Sequence, residues 1–331
     1  MKKSLLAALL AAGMMFTAAC SSPATPTAAT SESAAGGGKV KIAYVVKAMS
    51  DQFWIDMKAG ADKAAAANNV ELSFQAPEKE TDVEKQIQMV ENAIASKVNA
   101  IILSAADSKA LIPSIVKANQ ASIPVVLVND TIDNDALTAA GGKVVTYVGI
   151  DQYASAKLAG DYAVKNIKQG NVVLLEGISG VKALADRLNG FKDAVEAAGT
   201  FKIVASQTAN NDRAQAFNVM QNILTSNKEV DVVWAINAEM GQGAVAAIQQ
   251  SNYGRPVSVF DFDASADDVA AIKAGTLAGS VAQFPELQAE GAIKAALEAL
   301  AGKTFEAKTQ TKAELITKEN VEAFAAARPQ S

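Results

Sequence analysis

The stretch NAIILSAADSKALIPSIVKANQASIPVVLVND, residues 99–130, decides how this chain folds. It contains two short apolar runs, AIILSA at 100–105 and PVVLVN at 124–129. The residues between them, 108–120, place apolar side chains at helical spacing. Two apolar runs rich in β-branched residues and joined by one helix are typical of a βαβ unit in a buried parallel sheet.

The same alternation continues on both sides of this unit. Apolar runs alternate with helical segments from residue 39 to residue 301, about five of them before residue 150 and at least as many after it. That number of strands is too large for one compact sheet, and 331 residues exceed what one core usually holds. The sequence therefore predicts an α/β protein of two doubly wound parallel-sheet lobes.

The first 20 residues, MKKSLLAALLAAGMMFTAAC, have the form of a lipoprotein leader. Two lysines precede an apolar stretch, Leu5 to Phe16, which is too short to span a bilayer. Small residues then lead to Cys20, the single cysteine of the chain. This order resembles the bacterial lipobox, so we expect a signal peptide at 1–20 and attachment to the lipid bilayer through acylated Cys20. The alternative is an ordinary signal peptide with a chance cysteine.

Composition excludes several classes of function. Residues 21–38 are rich in Ser, Thr, Ala, Pro and Gly, which predicts a flexible linker. The chain has no histidine, the commonest general base and metal ligand. Without the two leader lysines the charge balance is 28 − 35 = −7, and no basic stripe favours nucleic acid. We expect no metal and no cofactor.

Polar and aromatic side chains follow the predicted strands. Ligands of open parallel sheets bind beyond the carboxyl ends of the strands. The candidate ligand-binding residues are Asp51, Phe53, Trp54, Ser104, Asn129, Asp130, Arg187, Asn211, Asn237, Asp263 and Gln283. Carboxylates accept hydrogen bonds from hydroxyl groups, amides donate and accept, and aromatic rings pack on the apolar face of a sugar. Any one position is also compatible with a helix cap, a turn or core packing, so the joint pattern carries the prediction of a polyhydroxylated ligand.

Several segments resemble the pentose and hexose family of periplasmic binding proteins. They are IAYVVKAMSDQFW at 42–54, ASIPVVLVND at 121–130, ADRLNGF at 185–191, VFDFDAS at 259–265 and AGTLAGSVAQFP at 274–285. The resemblance covers nearly all of residues 40–325 and implies the type I fold, in which two lobes are joined by three hinge strands. The implied lobes are 39–150 plus 284–312 and 151–283 plus 313–331, with crossings near Ile150–Asp151, Gln283–Phe284 and Thr311–Ala313.

The resemblance also implies which residues hold the ligand. These residues are Asp51, Phe53, Asn129, Arg187, Asn237, Asp263 and Gln283. The chain departs from the ribose branch, because Asn129 and Asp130 stand where that branch has Asp-Arg, and Asn211 stands where relatives have an aromatic residue. Lys47 and Ser104 also replace other polar residues. These departures argue against ribose itself, and the calcium loop of the galactose/glucose branch is absent.

We therefore expect the substrate-binding lipoprotein of an ABC importer. It would capture a monosaccharide or cyclic polyol between its lobes and deliver it to a membrane permease by lobe closure. We expect a monomer outside the cytoplasm that is not an enzyme and binds no nucleic acid. A hydrolase lacks a histidine base, and a transcriptional regulator would need no leader. Two alternatives stay open: a sensor module for a chemoreceptor or kinase, and a binding protein for a nucleoside or autoinducer, with Phe53 or Trp54 on the base.

Overall fold

The structure, a computed structural model, describes residues 38–226 and 229–328 as an alternation of strands and helices. The predicted leader with Cys20, and the linker up to residue 37, lie outside the described residues. In the described part of the chain, no helix is both long enough and apolar enough to cross a membrane.

The first half of the described chain contains five strands and four helices. They are β1 (Val40–Val45), α1 (Gln52–Ala67), β2 (Val70–Gln75), α2 (Val83–Ala95), β3 (Ala100–Leu103), α3 (Ile112–Gln120), β4 (Val125–Val128), α4 (Asn134–Ala139) and β5 (Tyr147–Gly149). The βαβ unit predicted from residues 99–130 is present as β3, α3 and β4. The short helix α4 was not predicted, because six residues are too few to show an apolar period.

The second half repeats the pattern. Its elements are α5 (Gln152–Ile167), β6 (Gly170–Glu176), α6 (Lys182–Ala197), β7 (Phe201–Thr208), α7 (Arg213–Ser226), β8 (Val232–Ala235), α8 (Ala238–Gln250), β9 (Ser258–Phe262), α9 (Ala266–Ala274) and β10 (Gly279–Ala282). The chain continues with α10 (Pro285–Leu300), β11 (Lys308–Gln310), β12 (Glu314–Thr317) and α11 (Val321–Ala327).

The strands form two sheets of six with the same order. The first sheet runs β11-β5-β4-β3-β1-β2, and the second runs β12-β10-β9-β8-β6-β7. Neighbouring strands are parallel in both sheets, except that β12 pairs antiparallel with β10. Helices connect successive strands, so each sheet is doubly wound. This confirms the predicted fold class of two α/β lobes.

The chain passes between the two sheets at three places. It leaves the first sheet after β5, returns after β10 through α10, and crosses again in the three residues between β11 and β12. Helix α10 packs against α1 and against β3 and β4, although it follows a strand of the second sheet. Each lobe is therefore built from separate segments of the chain.

Apolar side chains fill both faces of the central strands. All four residues of β3 (AIIL), of β4 (VVLV) and of β8 (VVWA) are buried. Because helices cover both faces of each sheet, these strands are apolar at every position and do not alternate between apolar and polar residues. In the second lobe Trp234 of β8 stacks on Phe191 of α6, with 4.7 Å between the ring centroids.

Candidate functional site

A narrow cavity lies between the two lobes, and we call it the ligand cleft. Its lining residues are Lys47, Asp51, Phe53, Trp54, Glu80, Asn129, Leu184, Arg187, Asn211, Asn237, Asp263 and Gln283. Several of them follow the carboxyl ends of strands, as the sheet topology requires for a ligand site. Both lobes contribute charged and amide groups to its walls.

Nine of the eleven predicted residues line this cleft, and Ser104 and Asp130 do not. Both of these side chains are fully buried, and the Ser104 hydroxyl donates a hydrogen bond of 2.6 Å to Asp130. Asp130 in turn lies 3.2 Å from the Nζ atom of Lys47, which does line the cleft. The structure thus places Ser104 and Asp130 as supports of Lys47, one layer behind the cleft wall. The ligand contacts predicted for the other nine stay predictions.

Arg187, on α6, is held in the second lobe by three neighbours. Its Nε donates to Gln152 Oε1 at 2.8 Å, and its Nη1 donates to the carbonyl oxygen of Ile236 at 3.2 Å. The guanidinium lies over the ring of Phe262, 4.1 Å from the centroid. Only 5% of the side chain is exposed. The planar group is therefore fixed in orientation, with further N–H groups free of these bonds and able to meet ligand oxygens.

Asp263 follows β9 and faces Arg187 at 3.9 Å. Its Oδ1 accepts a hydrogen bond of 2.6 Å from Gln283 Nε2. Burial raises the pKa of the Asp263 carboxyl, while Arg187 and the bond from Gln283 act in the opposite direction. Backbone φ at Asp263 is +94°, an unusual value for a residue other than glycine. Strained backbone of this kind can mark a ligand site, and Asp263 lies on the cleft wall.

A chain of amide groups connects this carboxylate to the first lobe. Asn129 Nδ2 donates to Gln283 Oε1 at 2.7 Å, and Gln283 donates to Asp263. The backbone carbonyl oxygen of Asn129 accepts hydrogen bonds of 2.9 Å from the Tyr147 hydroxyl and from the Gln152 side-chain amide. Asn129 and Asp263 thus belong to one network although they follow strands of different sheets.

Two aromatic side chains form the apolar part of the cleft wall. Phe53 and Trp54, at the start of α1, pack edge to face with centroids 4.8 Å apart. The indole N–H of Trp54 donates to Glu80 Oε1 at 2.7 Å. With the indole N–H bonded to Glu80, the apolar ring faces are the part of these residues that can pack on the C–H face of a sugar. Asn237, across the cleft, also caps α8, because its Oδ1 accepts from the N–H of Met240.

Sequence reasoning missed Glu80 as a site residue and noted Lys47 only as a departure from relatives. Glu80 lies in the charged stretch PEKETD at 77–82, which has the composition of a solvated loop. Lys47 directly follows the apolar run of β1, and this position was its only signal. Burial lowers the pKa of Lys47, but Asp130 and Glu80 outweigh it, so the pKa is raised and the ammonium stays charged.

A second pocket adjoins the cleft and shares Asp51, Phe53, Asn237 and Asp263 with it. Arg328, just after α11, borders this pocket and contacts both lobes. Its Nη2 donates to Asp56 of α1 at 2.7 Å, and its Nη1 donates to the carbonyl oxygen of Ala264 at 2.5 Å. This ion pair stabilises the arrangement in which the two lobes are close together.

Asp51 makes the stability of the ligand-free protein depend on pH. Burial, reinforced by the nearby Glu80 carboxylate, raises the pKa of Asp51 from 3.8 to about 7. Between these values the unfolded chain has lost the proton that the folded protein keeps, so the free energy of unfolding falls as pH rises. We expect the wild type to lose about 2 kcal/mol more than Asp51→Asn between about pH 4.5 and about pH 7.5, a value reduced for partial solvent exposure.

Urea unfolding of both proteins at several pH values measures this difference. The difference between the two profiles reports the charge on Asp51 together with its repulsion from the neighbouring carboxylates, Glu80 first. Parallel pH profiles for the wild type and Asp51→Asn would contradict the assignment.

The family model for the periplasmic binding protein domain matches residues 42–304 of this chain. Ribose import binding protein RbsB of Escherichia coli is 33% identical over 282 residues, which cover 85% of this chain and 92% of that protein.

Two solved structures have similar folds over nearly their full length. An ABC transporter periplasmic solute binding protein from Actinobacillus succinogenes, with bound D-allose, aligns with a TM-score of 0.82 and 35% identity, covering 86% of this chain and 100% of that one. An ABC transporter solute binding protein from Bacillus halodurans, with bound myo-inositol, aligns with a TM-score of 0.79 and 29% identity, covering 88% of this chain and 99% of that one.

Proposed function

Because this chain belongs to the periplasmic binding protein domain family, we propose that it captures a monosaccharide or cyclic polyol in the ligand cleft and delivers it to the permease of an ABC importer. One observation carries the proposal for this chain: charged and amide side chains of both lobes meet around a cavity with two aromatic rings on its wall. This set of donors, acceptors and apolar surface suits a neutral polyhydroxylated ring. The ligands of the similar proteins, namely ribose, D-allose and myo-inositol, belong to that class.

Lobe closure is the mechanism that this geometry supports. A ligand that touches Arg187 and Asn129 together contacts both lobes, so it binds the closed form more tightly than the open one. The permease then receives a protein whose two lobes are fixed relative to each other. A ligand with the wrong hydroxyl pattern leaves a buried polar group unpaired, which costs about 1–3 kcal/mol per group.

The lobes are assigned as 39–150 plus 284–312 and 151–283 plus 313–331. The sheet order supports this division, since β11 joins the first sheet and β12 the second. We also infer that the mature protein is a monomer, held at the outer face of the membrane by acyl chains on Cys20, and that it turns over no substrate. The lipobox order of residues 17–20 supports the anchor.

A thermal-shift screen tests the function. Residues 39–331 pack as a unit of their own, so this fragment is screened against monosaccharides, cyclic polyols and nucleosides. A ligand that binds only the folded state, at a hundred times its Kd, stabilises it by about 2.7 kcal/mol, and we expect Tm to rise by about 5 °C. A rise with nucleosides alone, or with no member of the panel, would overturn the sugar assignment.

A further inference from the structure

Helix α6, which brings Arg187 to the ligand cleft, begins without a cap from its own segment. Its N-cap residue is Val181, whose buried side chain has no hydrogen-bonding atom. The first N–H groups of a helix have no partner within the helix, and Ser, Thr, Asn or Asp usually supplies one at the N-cap. The first turn, KALA at 182–185, also contains no acidic side chain. The N-terminus of α6 therefore depends on acceptors outside the helix.

The acceptor for the first of these N–H groups comes from the other lobe. Ser108 lies in the loop between β3 and α3, and its Oγ accepts a hydrogen bond of 2.9 Å from the backbone N–H of Lys182. The same hydroxyl donates to the carbonyl oxygen of Thr131 at 3.1 Å, so it both donates and accepts and its orientation is fixed. Ser108 is 5% exposed and does not line the ligand cleft.

A backbone hydrogen bond and a close approach of the two loops accompany this contact. The N–H of Ser108 donates to the carbonyl oxygen of Gly180 at 3.1 Å. Gly180 has a φ of +89°, and a Cβ atom there would lie 2.5 Å from Oδ2 of Asp107, so glycine allows the loops to meet. Asp107 also places a carboxylate near the positive end of α6. We call the contacts of Asp107 and Ser108 with Gly180 and Lys182 the interlobe latch.

The interlobe latch exists only while the lobes are close together. When they separate, the bond from Ser108 to Thr131 stays within the first lobe, but the N–H of Lys182 loses its protein acceptor. Because water replaces the hydroxyl, the net effect is that of one helix cap, which corresponds to a factor of about five in the ratio of closed to open protein. The apparent affinity for a ligand that binds the closed form changes by the same factor.

We propose that Ser108 is a positioning residue, which caps α6 from the opposite lobe when the lobes close and so favours the closed form with Arg187 in place. Ser108 lies outside the cleft, so it raises the affinity for every ligand alike and does not select among them. The inference rests on the proposed function where affinity is measured, whereas closure of the ligand-free protein is measured without any sugar.

Double electron–electron resonance between two spin labels measures the closure. Residues 39–331 contain no cysteine, since Cys20 is the single cysteine of the chain. Labels are attached through Lys85→Cys on α2 and Lys192→Cys on α6, one in each lobe, where the lysine side chains are 56% and 40% exposed. The short and long distances between the labels then give the populations of closed and open protein.

Three substitutions in this labelled fragment test the hydroxyl. Ser108→Ala removes it and Ser108→Thr keeps it. Ser114→Ala is the matched control, because this buried serine donates to Glu91 within the first lobe and makes no contact with the second. The same three substitutions in the unlabelled fragment are titrated with D-ribose, D-allose and myo-inositol by calorimetry, and circular dichroism checks that each variant is folded.

We expect Ser108→Ala to lower the ratio of closed to open protein about fivefold without ligand, while Ser108→Thr and Ser114→Ala stay within twofold of the wild type. For each sugar that binds, Kd should rise about fivefold in Ser108→Ala, by the same factor for every sugar and through faster dissociation. A role in the stability of the first lobe alone would lower Tm without changing the distances.

Equal ratios of closed to open protein in wild type and Ser108→Ala, or equal Kd values for a sugar that binds, would overturn the proposal while the sugar-binding function stands. If the wild type binds none of the three titrants, the proposed function loses its support, and the distances between the labels alone decide whether Ser108 favours closure.

Discussion

Replacing Arg187 with alanine should weaken ligand binding by at least a hundredfold. The side chain is 5% exposed and lies 3.9 Å from the carboxylate of Asp263. Its removal leaves Asp263 buried without a cation, and it leaves Gln152 Oε1 and the Ile236 carbonyl without the donor they have now. Truncating one partner of a buried charge pair costs about 2–5 kcal/mol, and every 1.4 kcal/mol is a factor of ten in Kd.

Calorimetry with the ligand found in the screen measures this loss. Arg255→Ala is the control, because that arginine is half-exposed and pairs with Asp231 at the surface. Arg187→Lys should recover little of the affinity, since an ammonium cannot reproduce the planar fork that meets two neighbouring oxygens. If Arg187→Ala is folded and its Kd for the ligand lies within threefold of the wild-type value, Arg187 does not contribute to ligand binding.

Phe191→Ala should lower the free energy of unfolding by about 4 kcal/mol, the second large effect. The Phe191 ring is fully buried and stacks on Trp234, with an angle of 6° between the ring planes. It also contacts Phe260 of β9, so its loss opens a cavity between α6 and the second sheet. Urea unfolding measures the change. Lys192→Ala, at the next and partly exposed position, should change stability by less than about 0.5 kcal/mol.

The result for Phe191 also separates stability from binding. Arg187 lies one turn earlier on the same helix, so a folded Phe191→Ala protein should keep most of its affinity. A loss below 1 kcal/mol in unfolding free energy would mean that the core refills the space, contrary to the close packing of the two rings.

The sequence predicted the fold because its central strands are continuous apolar runs. The runs of β3, β4 and β8 are buried on both faces, and helices of clear period separate them. The elements that it missed are short: α4 has six residues, β11 and β12 have three and four, and α11 has seven. Strands of this length are stabilised by pairing across a long sequence separation, which no local pattern records.

A residue's place in the sequence indicated its position on the cleft wall where it directly follows a strand, but not where contact with a partner side chain decides its orientation. Asn129 and Asp263 end on the cleft because each lies directly after a strand. Asp130 lies one position further than Asn129, yet its side chain is turned away and paired with Lys47. Glu80 comes from a loop whose conformation depends on contacts with α1 and with the other lobe. The apolar pattern of a strand does not show which of two residues after it faces the cleft, nor which loop residue reaches the cleft.

The repeated strand order of the two sheets has a consequence for how such a protein changes its ligand in evolution. Asn129 after β4 and Asp263 after β9 occupy equivalent corners of their sheets, and both have a positive φ, +59° and +94°. Each lobe therefore presents its own set of side chains to its own side of the cleft. Substitutions in one half can accommodate a new substituent on that side while the other half continues to hold the unchanged part of the ring, so specificity can shift in small, separately tolerated steps.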